Sequence, residues 1–244
     1  MAKSGGRYKQ GFYLKANRYK LDSIQTYTLQ KSGGNEMKII DISMPITHYM
    51  PVYKGKEEKR PNLKVQSDFT TGSAFESRID MNMHTGTHLD RSQHIIPNGT
   101  LVESLDLSKV ITKCKVLDLT MVDDKITADD LKSKNIEEGD FVLFKTKNSY
   151  LDILEGDFIF LDESGAQYLK DKKIIGAGTD GLGIERSQPG HETHKILLEV
   201  DIVIIEGLRL KDVDEGSYFL FAAPIYIVGA EAAPLRAVLL QDFL

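Results

Sequence analysis

The run Asn82-Met83-His84-Thr85-Gly86-Thr87-His88-Leu89-Asp90-Arg91-Ser92-Gln93-His94 holds three of the six histidines of the 244-residue chain, with an aspartate among them. Neutral imidazole and carboxylate together suit zinc, manganese or iron. His84, His88, Asp90 and His94 share one parity, and residues two apart on an extended backbone share a face. One strand and its exit could therefore aim all four side chains at one point. A helix could bring His84 to His88 but would turn Asp90 away. The small residues Thr85-Gly86-Thr87 would let the backbone crowd close to an ion. A single histidine is more often surface or core decoration than a ligand. Four potential ligands grouped this tightly point instead to a metal or catalytic site.

A second cluster runs from His191 to Leu208 and is opened by the turn Pro189-Gly190. Residues 191–199 have helical character, so His191 and His194, three apart, lie near one another. Of the two, His191 is the one expected to be simply solvated. Ile202-Val203-Ile204-Ile205 is a β-branched run without a polar break, which predicts a strand buried on both faces. Glu206 ends that run just before Gly207. A carboxylate there is costly unless it is paired or bound to a cation; the structural alternative is a strand-end glutamate bonded to loop amides.

The elements that must position these groups can be read coarsely. Strands are expected at 38–43, 78–83 leading into the histidine motif, 116–119, 141–144, 174–176, 219–221, 225–228 and 236–240. Thr127 with Asp130 reads as an approximate capping box opening a short helix, and 163–172 as a second helix. Strands outnumber helices, and the helices fall between the later strands. The expected fold class is α/β or a mixed-sheet domain.

With these residues in view, the chain resembles the cyclase family of metal-dependent hydrolases, whose best-known members are bacterial kynurenine formamidases and which includes isatin hydrolase. The resemblance rests on His84-x-Gly-Thr-His88-x-Asp90-x-x-x-His94, on His194-Lys195-x-Leu197-Leu198 about a hundred residues later, on Glu206-Gly207-Leu208 and on the opening Met37-Lys38-Ile39-Ile40-Asp41-Ile42-Ser43-Met44-Pro45-Ile46. It covers residues 37–244, and it implies a swivelling β/β/α-type domain, a barrel-like mixed sheet flanked by helices. It also implies that His84, His88 and Asp90 hold a first metal, that Asp90 bridges to a second, that His194 binds the second and that Glu206 touches both. His94 matches the catalytic proton shuttle. Tyr53 falls where the formamidases place a substrate-contacting tryptophan.

Three positions depart from the family's usual pattern. Ser92 stands where proline is usual, Arg91 where small residues are common, and Gly183 replaces the serine of the segment that reads here Asp180-Gly181-Leu182-Gly183-Ile184-Glu185. The expected activity is hydrolysis of an amide by water activated on a metal, with N-formyl-L-kynurenine, giving L-kynurenine and formate, as the default substrate. The alternatives are another cyclic amide, imide or lactone of the isatin type, or a protein that binds a metal or ligand without catalysis. Zinc, as one or two ions, is the default for such donors, and manganese takes the same ligands.

Composition narrows the setting. A net charge of −5 without a basic stripe argues against a nucleic-acid partner. No apolar run approaches the ~18 residues needed to span a bilayer. The single cysteine, Cys114, excludes an intrachain disulfide and fits a reducing cytoplasm. Residues 1–36 are basic, tyrosine-bearing and punctuated by Gly-Gly pairs, and read as an extension in front of one domain at 37–244. By analogy with the family, a homodimer or homotetramer is expected, acting on a small-molecule substrate.

Overall fold

The computed structural model describes residues 25–30 and 36–242. In chain order the strands are β1 (Gln25–Gln30), β2 (Glu36–Asp41), β3 (Asn62–Ser67), β4 (Glu76–Asp80), β5 (His88–Asp90), β6 (Ile111–Asp118), β7 (Lys125–Ile126), β8 (Phe141–Lys145), β9 (Phe160–Leu161), β10 (Gly176–Thr179), β11 (Val203–Glu206), β12 (Gly216–Phe221), β13 (Ala232–Pro234) and β14 (Val238–Gln241). The helices are α1 (Ala128–Lys132), α2 (Glu163–Asp171) and α3 (Glu192–Leu198).

Ten strands form one mixed sheet in the order β1-β2-β14-β12-β6-β8-β10-β11-β5-β13. The centre, β6-β8-β10-β11, is parallel, and the pairs on either side are antiparallel. The sheet curls, because segments far apart in that order meet. Ser43, just past β2, bridges Leu208, just past β11. The amide of Ile42 donates to Ala237 at 3.0 Å and that of Arg209 to Ile42 at 2.9 Å. The sheet therefore encloses a core on its concave side and carries the helices on the other, as the barrel-like expectation had it.

The strand sequences explain both layers. Phe141 and Leu143 point into the enclosed core with Ile40, Val203, Ile205 and Leu239. Val142 and Phe144 point outward to pack with Ile204, Leu169 of α2 and Leu197 of α3. Both faces are covered, so β8 and β11 need no polar alternation. The strand expected at 174–176 lies instead at β10, Gly176–Thr179. A Cβ on Gly176 would lie 2.1 Å from the Phe141 ring, and one on Gly178 would lie 2.6 Å from Leu143. The large core residues of β8 need those glycines, and the isoleucines before them misled the pattern.

Three further differences matter. Residues 225–228 form no strand, although Ile225-Tyr226-Ile227-Val228 has the composition of one. Only Pro224 bridges Leu235 nearby, and prolines at 224 and 234 remove ladder donors. Within the stretch read as an extension, Gln25–Gln30 pairs along the whole of β2; the rest of that stretch lies outside the described residues, apart from Glu36, which opens β2. The strand leading to the histidine motif is β4, which pairs with β3 in a separate two-stranded sheet whose side chains are mostly exposed. By contrast, the Thr127–Asp130 capping box is present in full.

The register of β5 against β11 sets up the site. Glu206 lies opposite His88, and Ile204 lies opposite Asp90. These even-numbered residues face outward, whereas Leu89, Val203 and Ile205 face the enclosed core. Gly207 ends β11 at φ +71°, and its missing Cβ would stand 2.3 Å from the Gly86 carbonyl oxygen. Thr87 Oγ1 donates to the Gly207 carbonyl at 2.7 Å and accepts the Met44 amide at 2.7 Å. The small residues of the motif thus let two backbones meet. Gly207→Ala should lower stability by about 2 kcal/mol or more, since strained φ and a steric clash coincide. A fall in Tm of roughly 5 °C or more in a thermal melt checks it.

Candidate metal centre

Six polar side chains converge where β5, β11, α3 and the turns around them meet. His88 and Asp90 come from one face of β5, as parity predicted, but the strand ends there. His84 is supplied by the turn before β5, its amide accepted by Asn82 Oδ1 at 2.9 Å. His94 is supplied by a short 3-10 turn, Ser92–His94. Glu206 closes β11 and His194 lies in α3. Of the four motif residues expected on one strand and its exit, β5 carries His88 and Asp90 and its exit carries His94, whereas His84 comes from the turn before the strand; the convergence itself is as expected.

The distances divide the donors into two sets that share the carboxylates. Asp90 Oδ1 lies 3.0 Å from His84 Nδ1 and 3.5 Å from His88 Nε2, while Oδ2 lies 3.5 Å from His194 Nε2. Glu206 Oε2 lies 3.3 Å from His88 Nε2, and Oε1 lies 3.4 Å from His194 Nε2. Donors around a tetrahedral zinc are separated by about 3.3 Å when metal–ligand bonds are near 2.0–2.1 Å. Moreover, His88 Nε2, both Asp90 oxygens and His194 Nε2 are buried without a hydrogen-bond partner, while His84 Nε2 turns to Glu231 Oε1 at 3.4 Å. Buried polar atoms are normally paired. Unpartnered atoms aimed at one place fit a divalent cation.

Electrostatics agrees with that need. Burial works against charge on His88, yet the Glu206 and Asp90 carboxylates overcome it and push the imidazole up to about 9. His194 is likewise held well above its ordinary value, burial being outweighed by Asp90, Glu185 and Glu206. Asp90 is held well below the carboxylate range despite burial, by His194 and His84. The two buried acids thus demand positive charge, which a proton or a metal can supply. His94 differs: burial, reinforced by His84 and His194 against the pull of Asp90, lowers it. No carboxylate lies within ion-pair distance of His94 among the described residues. Its ring centroid lies 4.1 Å from that of His84 and 5.6 Å from that of His194.

The surrounding groups aim these ligands. His88 Nδ1 is 2.9 Å from the Gly86 carbonyl, which turns Nε2 inward. His194 Nδ1 is 2.9 Å from Glu185 Oε1, and Glu185 Oε2 accepts the His194 amide at 3.2 Å. His191 Nδ1 lies 2.6 Å from the same Glu185, so His191 is half-exposed yet tied to the site rather than merely solvated. Glu206 Oε1 also accepts the Ile184 amide at 2.5 Å. Glu185 is the neighbour of the cluster that sequence reasoning missed. Its position was noted as part of an altered segment, but nothing local announced its two histidine partners.

The altered positions are accounted for structurally. Arg91 is buried and points away from the ligands, to Asp201 at 3.1 Å, Ser104 at 3.3 Å and the Leu101 carbonyl at 3.4 Å. Ser92 Oγ accepts the Thr100 amide at 2.7 Å and lies 2.9 Å from Thr100 Oγ1, closing the loop that carries His94. It is a loop clasp and not a nucleophile paired with His94. Tyr53 sits half-buried, 6.1 Å from the Phe158 ring, and burial and then Glu206 and Glu185 raise its phenol. A Cβ on Gly183 would meet the Glu185 carbonyl oxygen at 3.0 Å and the Phe158 ring at 3.4 Å before Tyr53 Cε2 at 3.7 Å, so the segment packs closely where the serine is missing.

Residues 40–186 match the family described as "Putative cyclase". The chain is 33% identical over 221 residues to cyclase-like protein 3 of Arabidopsis thaliana, covering 84% of this chain and 80% of that one. It is 31% identical to the kynurenine formamidase of Erythrobacter litoralis (strain HTCC2594), covering 85% and 96%. A solved structure described as a predicted metal-dependent hydrolase from Bacillus stearothermophilus is 51% identical, superposes with a TM-score of 0.77 and covers 84% of this chain and 98% of that one. With its histidine–carboxylate cluster inside the matched region and completed from α3 and β11, the chain belongs to the cyclase family.

Proposed function

We propose that the chain is a metal-dependent hydrolase of amide C–N bonds, with N-formyl-L-kynurenine as the leading substrate and L-kynurenine and formate as products. The observation that carries this reading is the set of buried, unpartnered donors shared between Asp90 and Glu206, with His94 beside them but outside every ion pair. His84, His88, Asp90, His194 and Glu206 would hold zinc, as one or two ions, or manganese. A metal held there polarises a carbonyl and lowers the pKa of water towards neutrality. The likeness to a kynurenine formamidase supports the choice of substrate.

The chain's own groups supply the rest. A neutral His94 has a free ring nitrogen at neutral pH, so it can take a proton from water and return it to the leaving nitrogen. His88 and His194 cannot do this while they face two carboxylates. Residues whose surroundings push their proton affinities apart divide the acid–base labour. Glu185 fixes the rotation of His194, and a carboxylate behind a ligating histidine strengthens the ligand. Tyr53, backed by the buried Phe158, offers an aromatic face for a substrate ring. The absence of the family's serine at the closely packed Gly183 keeps a second reading in view, a fused ring of the isatin type opened by the same chemistry.

No helix among the described residues is long and apolar enough to cross a membrane. The lone, buried Cys114 thiol supports a cytoplasmic setting. A homodimer or homotetramer also belongs to the proposal. The β3–β4 hairpin supports it, because Leu63, Val65 and Ile79 are exposed there and isolated hairpins are marginal in water. Light scattering coupled to gel filtration should give a mass of two or four chains; a single-chain mass at micromolar concentration refutes it.

Purified protein supplied with Zn²⁺ or Mn²⁺ should hydrolyse N-formyl-L-kynurenine, and EDTA should abolish the activity. His94→Ala should keep its metal and lose kcat by about 10²–10⁴-fold; loss of metal would make His94 a ligand instead. Glu206→Gln should weaken metal retention at least ~10-fold and Glu185→Gln by about 10–100-fold, read by metal analysis after dialysis against a chelator. Full retention in Glu206→Gln removes its bridging role.

A further inference from the structure

The segment between β2 and β3 carries cations that the chemistry above leaves unused. The ammonium groups of Lys54 and Lys59 lie 5.2 and 5.1 Å from the centroid of the Tyr53 ring. Lys54 is exposed, whereas Lys59 is half-buried. Among the described residues no carboxylate lies within ion-pair distance of Lys59. Glu57, two residues away, is engaged by Arg60 at 2.8 Å. Burial first, then the neighbouring Lys56 and Lys54, hold Lys59 below the ordinary lysine value, against Glu58 and Glu206. The ring beneath Lys59 adjoins the cluster, since a Cβ on Gly183 would lie 3.7 Å from Tyr53 Cε2 and the next residue, Ile184, donates its amide to Glu206.

An ammonium that is partly desolvated, crowded by like charges and unpaired lacks the anion that normally accompanies it. Contact with the aromatic face recovers only part of that cost. The ring it covers is the aromatic wall of the site. A substrate whose ring lies along Tyr53, with its scissile carbonyl at the acidic centre, would therefore present its other end to Lys59.

We propose that Lys59, held against Tyr53, receives a carboxylate on the substrate, so that the site selects aromatic amides bearing an anionic group remote from the hydrolysed bond. This rests on the hydrolase reading and deepens it: the acidic cluster handles the carbonyl, and the lysine selects the anion. Lys54 adds positive charge at the same ring without being buried.

Lys59→Met keeps the apolar stem and removes the charge, and Lys59→Arg restores the charge. With N-formyl-L-kynurenine, Lys59→Met should raise KM about tenfold with kcat nearly unchanged, as expected for loss of one charge-assisted contact. The methyl ester of the same substrate should be unaffected, and Lys59→Arg should recover most of the loss. Calorimetric binding of L-kynurenine and its methyl ester to the zinc-loaded protein gives a readout that needs no turnover. The wild type should prefer the acid, and Lys59→Met should lose that preference. If the wild type hydrolyses neither formyl compound, the formamidase reading falls while the calorimetry still decides the role of Lys59. No preference for the acid in the wild type, or equal weakening of acid and ester in Lys59→Met, overturns the proposal; the latter would make Lys59 a prop for Tyr53.

Discussion

Asp90 and Glu206 set two buried carboxylates side by side on the outer face of the sheet, within reach of the same histidines. Two like charges taken out of water repel each other and lose their hydration, so the arrangement persists only if positive charge is placed between them. Three imidazoles meet that demand from three directions: the turn before β5, β5 itself and α3. The antiparallel pairing of β5 with β11 is what brings the acids together, and the parallel centre of the sheet is what delivers β11 and α3 to that edge. Much of the architecture can be read as the scaffold that keeps this acidic pair in register.

The supporting contacts are unusually local in purpose. Gly86 meets Gly207 backbone to backbone, and Thr87 ties the pair to Met44. Arg91 leaves the ligand cluster and anchors the turn at Asp201, from which β11 departs. Ser92 clasps Thr100 and fixes the loop bearing His94. Each holds a backbone from which a side chain of the cluster projects. The positions where the sequence departs from its family thus maintain geometry around the acids, and Gly183 packs closely against Glu185 and Phe158.

Much of the site was legible because its ligands lie in short, unusual runs. Parity placed His88 and Asp90 on one face, and the uninterrupted apolar run before Glu206 announced a buried strand ending in a charge. The helix caps at Thr127 and the doubly buried β8 were legible for the same reason, since each follows from local chemistry. What failed required knowledge of neighbours. The β10 strand is Gly-Ala-Gly because Phe141 and Leu143 fill the space its side chains would occupy, and nothing within β10 says so. Residues 225–228 look like a strand but find no ladder partner. Glu185 orients His194 from across a turn, and Lys59 reaches Tyr53 only through the loop's path.

The most direct test of the account is the location of the cation itself. Crystals of the zinc- or manganese-loaded protein, measured at the metal absorption edge, should show anomalous density touching both Asp90 and Glu206, with His88 and His194 among the ligands. Density confined to Glu185 and His191, or none near the two buried carboxylates in protein that demonstrably contains metal, would contradict it.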